Sequence, residues 1–390
     1  MSDGSLLLYA AASSITVANA YYIHPIIATI ADQFGISHAM IGIVPSLNQI
    51  ALAVGIFLLL PLGDRFSNRS LVLLFSACQV VTLLVMAVSP VFWTFFVAST
   101  VMGFFTIAPY LIPAYVSKRI PLSRLGHSTA ILTAGVLFGV LFARAGAGVV
   151  SEYLGWRVVY LIGAALMFLV TILLSIIMEK RRTTDSVPRK HLPYPRLILS
   201  VVTVMRTYPE ILISGTIQGL GFGTFLAIWM GLGLHLTSEE MGYGTDVVGY
   251  LAALTLFNLI LTPQFGKVAD RIGARRARFY FTSVYVVGVT LFFFVGHNLW
   301  LLLIPIFITN TVGPSVDVTN RMTFLSQPAE VRTRLMTIYI VCMFLGGGLA
   351  SWGGTVAYDL GGWQGSSGLA LALAIILWSL SAITYRLKGR

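Results

Sequence analysis

A charged hairpin written twice constrains this chain more than any other feature. Gly63-Asp64-Arg65-Phe66-Ser67-Asn68-Arg69 is wedged between two long apolar runs. Gly266-Lys267-Val268-Ala269-Asp270-Arg271-Ile272-Gly273-Ala274-Arg275-Arg276 is wedged between two others, with Asp270 lying 206 residues after Asp64. The offset persists along the chain: Gly155-Trp156 returns as Gly362-Trp363, and Gly139, Ala143 and Gly146 return as Gly346, Ala350 and Gly353, each at 207. One offset shared by several features marks an internal duplication, so the 390 residues form two tandem halves in parallel order.

Composition then names the solvent. A chain that is 57% hydrophobic and 10% charged has more apolar surface than a core of its own size can hide, so lipid must cover it. At about 20 apolar residues per crossing, the runs read as spans at 5–29, 39–61, 71–89, 92–116, 127–150, 157–178, 209–235, 246–264, 278–296, 299–321, 335–357 and 365–386. These runs are long, unalternating and rich in Leu, Ile, Val and Phe, whereas a transmembrane β-barrel needs short alternating strands. The expected fold is all-α and integral to the membrane, with twelve transmembrane helices arranged as two parallel six-helix repeats. The expected domains are 1–178, a linker at 179–208, and 209–390. The linker is the one long polar stretch, and its apolar segment from Arg196 to Met205 is too short to span, which suits a helix lying at the headgroup level.

The formal net charge of +11 is read as a topology signature, not as a nucleic-acid footprint. With both termini in the cytoplasm, the loops on that side collect Arg65, Arg69, Lys118, Arg119, Arg124, the linker cations, Lys267 to Arg278, Arg321, Arg332 and Arg334. The opposite loops hold Asp32, Glu152, Glu239, Glu240, Asp246 and Asp359, and only Arg144 and Arg157 are left over. The expected location is a bacterial inner membrane, whose anionic lipid a basic face meets favourably. The first apolar run is too long for a signal-peptide core and is expected to stay as an anchor. Cys78 and Cys342 fall inside spans, which argues against a disulfide framework. No cofactor motif and no G-x-x-x-x-G-K-[ST] loop for ATP is present, and the six histidines are scattered, so an enzyme is not expected.

Both copies of the charged hairpin resemble the acidic-basic loop between helices two and three of the major facilitator superfamily. The second copy matches that pattern closely; in the first, Leu60 stands where the leading glycine usually sits and Ser67 replaces the inner glycine. Asn19-Ala20-Tyr21-Tyr22-Ile23-His24-Pro25, followed by Pro61-Leu62-Gly63-Asp64-Arg65, is similar to bacterial exporters of the drug:proton antiporter and arabinose-efflux-permease type. In the fifth span, Gly135, Gly139, Ala143, Gly146 and Gly148 stand in the frame of that branch's glycine-proline motif, with Arg144 in the place of the proline. The resemblance implies a secondary transporter working by alternating access, and within it an exporter of a small organic solute in exchange for protons. A facilitator or importer of an organic anion, or a non-transporting receptor, is the alternative. The two halves already build a complete pathway, so a monomer is expected.

A transporter needs polar groups near the midplane and two gates. By the resemblance, spans one, four, seven and ten line the cavity with help from two, five, eight and eleven. Arg144 is the sharpest candidate: a guanidinium inside a span costs about 2.5–3.5 kcal/mol unless it faces water or a partner, and it can hold a carboxylate or phosphate in a bidentate grip. The other substrate-binding candidates are Asn19, Tyr22, Asn48, Tyr110, Gln218, Trp229, Asn258 and Asn310. Tyr21 and Tyr22 point apart, and Tyr22 shares a face with Asn19. Candidates for proton coupling are His24, Asp32 and Asp317, with Asp317 also suited to the inner gate beside Arg321. Asp64 with Arg65 and Arg69, and Asp270 with Arg271, Arg275 and Arg276, are expected to gate, because a hairpin carboxylate can cap a neighbouring helix and pair with arginines in one state only.

Overall fold

The computed structural model describes residues 3–64, 66–117, 119–121, 124–179, 194–325, 327 and 329–386, and they are overwhelmingly helical. The first half comprises α1 (Asp3–Ala18), α2 (Ile23–Phe34), α3 (His38–Leu59), α4 (Asn68–Val88), α5 (Phe92–Phe105), α6 (Ala108–Ser117), α7 (Leu125–Leu154) and α8 (Trp156–Ile177). After α9 (Tyr194–Thr207), the second half comprises α10 (Glu210–Leu236), α11 (Thr245–Leu251), α12 (Phe257–Ile272), α13 (Ala274–Val295), α14 (Leu299–Leu325) and α15 (Ala329–Arg386).

These segments make twelve crossings. Non-helical backbone at Gly361 and Gly362 divides α15 into two spans, and α11 with α12 forms one span bent by 43°. Two further spans are broken, and proline supplies the reason in each. Pro25 cannot donate to the carbonyl four residues back, and the first span loses its helical path at Asn19–Tyr22 between α1 and α2. Pro109 likewise leaves the carbonyl of Phe105 unpaired by the helix. The side-chain amide of Gln79 donates to it instead, at 3.2 Å, and the chain breaks at Thr106–Ile107 between α5 and α6.

The duplication is visible in the backbone. Gly155 and Gly362, at the repeat offset, both have positive φ, +88° and +57°, where a side chain would be strained. Each then begins a span with a tryptophan whose indole N–H is satisfied within its own half: Trp156 donates to Gln33, and Trp363 donates to the carbonyl of Phe292 at 2.8 Å. Helix crossings repeat too. A Cβ on Gly139 of α7 would run into the Ser14 backbone of α1, and one on Gly346 would lie 2.6 Å from the Gly219 backbone of α10. Backbones approach this closely because lipid offers no hydrophobic drive for helix association, leaving van der Waals contact to hold the helices. Gly139→Leu and Gly346→Leu are each expected to destabilise the protein by about 1–3 kcal/mol, read as a lower Tm of the detergent-purified chain. Gly146→Ala, whose added Cβ meets nothing within 4 Å, should leave Tm unchanged.

The halves meet along two seams. The span of α3 packs on the first span of α15, with Gly42 against Thr355 and Gly348 against the carbonyl of Ser46, while α7 packs on α11, with Gly148 against Thr245. Between the seams α2 touches α10, where Gly233 lies against the carbonyl of His24. At the other end of the bundle, α9 is tied to the first half by Tyr194, whose hydroxyl donates to the carbonyl of Leu58 at 2.5 Å.

Candidate functional site

Arg144 sits ten residues before the end of α7, about 15 Å along the helix axis and so close to the middle of a hydrocarbon core of about 30 Å. It is 1% exposed. Its Nε and Nη2 lie 3.2 and 3.0 Å from Nδ1 of His24 on α2. As the acceptor of a guanidinium N–H, Nδ1 carries no proton in this arrangement. Three rings surround the cation: Trp229 at 4.4 Å and Phe225 at 4.6 Å, both on α10 of the other half, and Tyr21 at 5.4 Å. Nη1 has no hydrogen-bond partner. No carboxylate pairs with Arg144 among the described residues, so a buried cation is held by an imidazole and three aromatic faces with one edge of its donor fork unused. That arrangement can take an anion.

The break at Asn19–Tyr22 decides which tyrosine joins the site. Tyr21 turns toward Arg144 and packs edge-on against His24 at 5.1 Å, whereas Tyr22 lies on Gly163 and meets the edge of Tyr160 at 6.3 Å inside the first half. Asn19 donates to Oε1 of Gln79 at 3.0 Å, and Gln79 donates in turn to Thr106 Oγ1 at 3.0 Å, a network that stitches the two proline breaks together. Asn48 donates to the carbonyl of Ser99 at 2.7 Å. Gln218 accepts from Asn320 at 3.3 Å, and Asn258 is buried with its Oδ1 unpaired.

Tyr110 meets the edge of Phe344 across the seam at 6.4 Å. From there Phe222, Phe225 and Trp229 continue an aromatic lane up to Arg144, at successive separations of 5.6, 6.0 and 6.3 Å. Behind Phe225 and Trp229 lies a narrow cavity inside the second half, walled by α10, by Tyr285 and Phe292 of α13, and by Ile306, Thr309 and Asn310 of α14. Asn310 is 3% exposed, and its Nδ2 has no partner.

The structure therefore brings together Arg144, His24 and Trp229, with Asn310 one wall away. Asp32 is exposed at the end of α2. Asp317 is tied down by Arg321 Nε, at 2.9 and 3.0 Å to its two oxygens, and by the Tyr339 hydroxyl at 2.5 Å. In the repeated hairpins, Arg65 and the side chain of Asp64 lie outside the described residues. Arg69 donates to the carbonyl of Ser175 at 2.7 Å, Arg275 pairs with Glu210, and Asp270, Arg271 and Arg276 are exposed. A buried arginine that the sequence reading left among the topology charges is Arg278, which donates to Ser214, Asn320 and Thr384 at 3.3, 3.0 and 2.7 Å and so joins α10, α13, α14 and the last span.

Two acids read from the sequence only as outer-loop charges prove to clasp the halves together. Glu152, at the end of α7, accepts from the backbone N–H of Thr245 at 2.9 Å and from its hydroxyl at 3.1 Å, capping α11 of the other half. Asp359, 207 residues after Glu152, accepts from the backbone N–H of Ala39 at 2.7 Å and pairs with His38 Nδ1 at 2.9 Å, capping α3 of the first half. Ala39 and Thr245 are themselves 206 residues apart. The two clasps are thus one contact made twice, each half lending a carboxylate to an open helix N-terminus of the other. The shared offset was the available signal.

The sequence profile described as Major Facilitator Superfamily matches residues 9–351 and again 212–388. The chain belongs to the Major Facilitator Superfamily. Among curated relatives, "Uncharacterized transporter YgaY" of Escherichia coli O157:H7 is 25% identical over 382 residues, covering 97% of this chain and 95% of that one. "Multidrug resistance protein MdtG" of Salmonella arizonae is 20% identical over 223 residues, covering 55% of this chain and 53% of that one. Among solved structures, a bacterial homolog to the human lysosomal transporter Spinster, in an inward-facing and occupied conformation, superposes with a TM-score of 0.77 at 13% identity, covering 98% of this chain and 96% of that one. As a superfamily member the chain is a multi-pass secondary transporter of small solutes, and its all-α architecture of two six-helix repeats is that of the superfamily.

Proposed function

We propose that this superfamily member carries a small organic anion through a site centred on Arg144, by rocking its two halves about that site. The observation that carries the reading is the buried guanidinium with a free Nη1 and no acid partner, set between rings from both halves. A charge left this way inside a bundle is costly, and a solute anion relieves the cost. The positive charge of the linker and of the loops on its side supports placing both termini in the cytoplasm, in a bacterial inner membrane. The clasped end then faces outward, and the arrangement is one closed to the outside. Residues 1–178 and 209–390 act as the moving bodies and 179–208 as their tether, with the chain working as a monomer. Asn19 and Asn48 serve the body they brace, while the repeated Asp-Arg hairpins act at the opposite, inner gate.

A second reading, export with proton exchange, is favoured by the relative named for multidrug resistance and by the presence of one titratable imidazole, His24, in direct contact with Arg144. A thermal-shift panel separates the two readings. Acetate, benzoate and phosphate are set against tetraphenylphosphonium, a sugar and neutral amino acids, with Arg144→Ala beside the parent chain. A ligand at a hundred times its Kd stabilises the native state by about 2.7 kcal/mol. Anions are expected to raise the Tm of the parent and not of Arg144→Ala. A response confined to cations or neutral compounds would set the anion reading aside in favour of the exporter.

A further inference from the structure

We infer that the cavity behind Trp229 is the pocket for the body of the solute, and that the solute is an aryl carboxylate carrying a hydrogen-bond acceptor at the end away from its carboxylate. This rests on the anion reading above and adds the shape and chemistry of what is attached to the anion.

The cavity and the Arg144 guanidinium share Phe225 and Trp229 as walls. Two buried polar groups in this region lack partners, Nη1 of Arg144 and Nδ2 of Asn310, and both are donors. A buried donor left unmade carries a desolvation cost, so a ligand that brings an acceptor to each relieves both. Tyr285 does not compete for such a ligand, because its hydroxyl already donates to the carbonyl of Gly221 at 3.3 Å. Thr309 is likewise occupied, donating to the carbonyl of Pro305 at 2.7 Å. The walls between the two free donors are aromatic, and flat rings stack on such walls with more attraction than area alone provides. A sugar would bring many hydroxyl donors and find few acceptors here. A lipophilic cation would face the guanidinium. One anionic end, a planar apolar body and one distal acceptor match the groups present.

The test is binding by calorimetry to the purified full chain, using benzoate, 4-acetylbenzoate and 4-isopropylbenzoate. The last two have nearly the same shape, and only the acetyl group offers an acceptor. We expect 4-acetylbenzoate to bind about tenfold more tightly than 4-isopropylbenzoate, Asn310→Leu to erase that preference while leaving benzoate binding intact, and Arg144→Ala to abolish binding of all three. If all three bind through Arg144 with no acetyl preference, or with one that survives Asn310→Leu, the pocket assignment is wrong and the anion reading stands. If acetate or phosphate binds through Arg144 while no benzoate does, the aryl class is wrong and the anion reading again stands. If no anion binds the parent chain, both fail. The parent chain alone reports the acetyl preference, so the inference can be overturned even where a variant does not fold.

Discussion

Arg144→Ala is expected to lower anion affinity by at least about a hundredfold while leaving the Tm of the unliganded protein unchanged or higher. The two effects part because they have different origins. Truncating a buried, hydrogen-bonded charge that meets an opposite charge on the ligand costs about 2–5 kcal/mol of binding, and alanine has nothing to offer a carboxylate. In the unliganded protein the same guanidinium is held at 1% exposure without an acid, at an insertion cost of about 2.5–3.5 kcal/mol. Contacts with three rings return about 0.5–2 kcal/mol, so removing the side chain costs the fold little. Arg144→Lys should bind anions poorly as well, since a point ammonium cannot keep the His24 contact and present a second pair of donors. Calorimetric titration with benzoate, beside a thermal melt without ligand, checks both halves of the prediction. A large fall in Tm for Arg144→Ala would instead mark the residue as a strut between α2, α7 and α10.

Glu152→Gln combined with Asp359→Asn is expected to open the clasped end of the bundle. Each carboxylate caps a helix belonging to the other half; a cap of this kind is worth about 1 kcal/mol, and its charge adds about 0.3–1 kcal/mol against the helix dipole. Neutralising one should shift the ratio of clasped to open protein about fivefold. The two clasps share no residue, so the double variant should shift it about twentyfold or more. Spin labels at Tyr153 and Leu360, which are 71% and 84% exposed at that end on opposite halves, report the separation. The expected result is a second, longer distance that grows from single to double variant. An unchanged distance in the double variant would mean that the apolar seams at Gly42–Thr355 and α7–α11 hold the end shut by themselves.

Much of the fold was legible in the sequence because membrane helices advertise themselves one segment at a time: a run of apolar residues long enough to cross lipid has few other uses. The proline breaks at Asn19–Tyr22 and Thr106–Ile107 follow from Pro25 and Pro109 in the same local way. Arg144 was legible as an anomaly, a cation where none belongs. Its partners were not. Phe225 and Tyr21 looked like any other aromatic residues of a lipid-embedded chain, and the preference for Tyr22 over Tyr21 turned on helix rotation at the very point where the helix is interrupted. Sequence spacing assumes a continuous helix, and that assumption lapses at a break.

What the sequence determined by itself is the solvent, the number of crossings, the duplication and the turns, including the positive-φ glycines at Gly155 and Gly362. All are properties of a segment or of its copy. Tertiary structure alone decided that Glu152 caps Thr245 while Asp359 caps Ala39, that Arg144 looks across to Trp229, and that Asn310 faces a cavity with its amide unused. The physical reason is that duplication yields two equivalent surfaces, and the exchange of contacts between them depends on how far each helix is turned and how closely it is packed. Small residues such as Gly139 and Gly346 set that closeness through backbone contacts made across the bundle, which the order of residues along the chain does not contain.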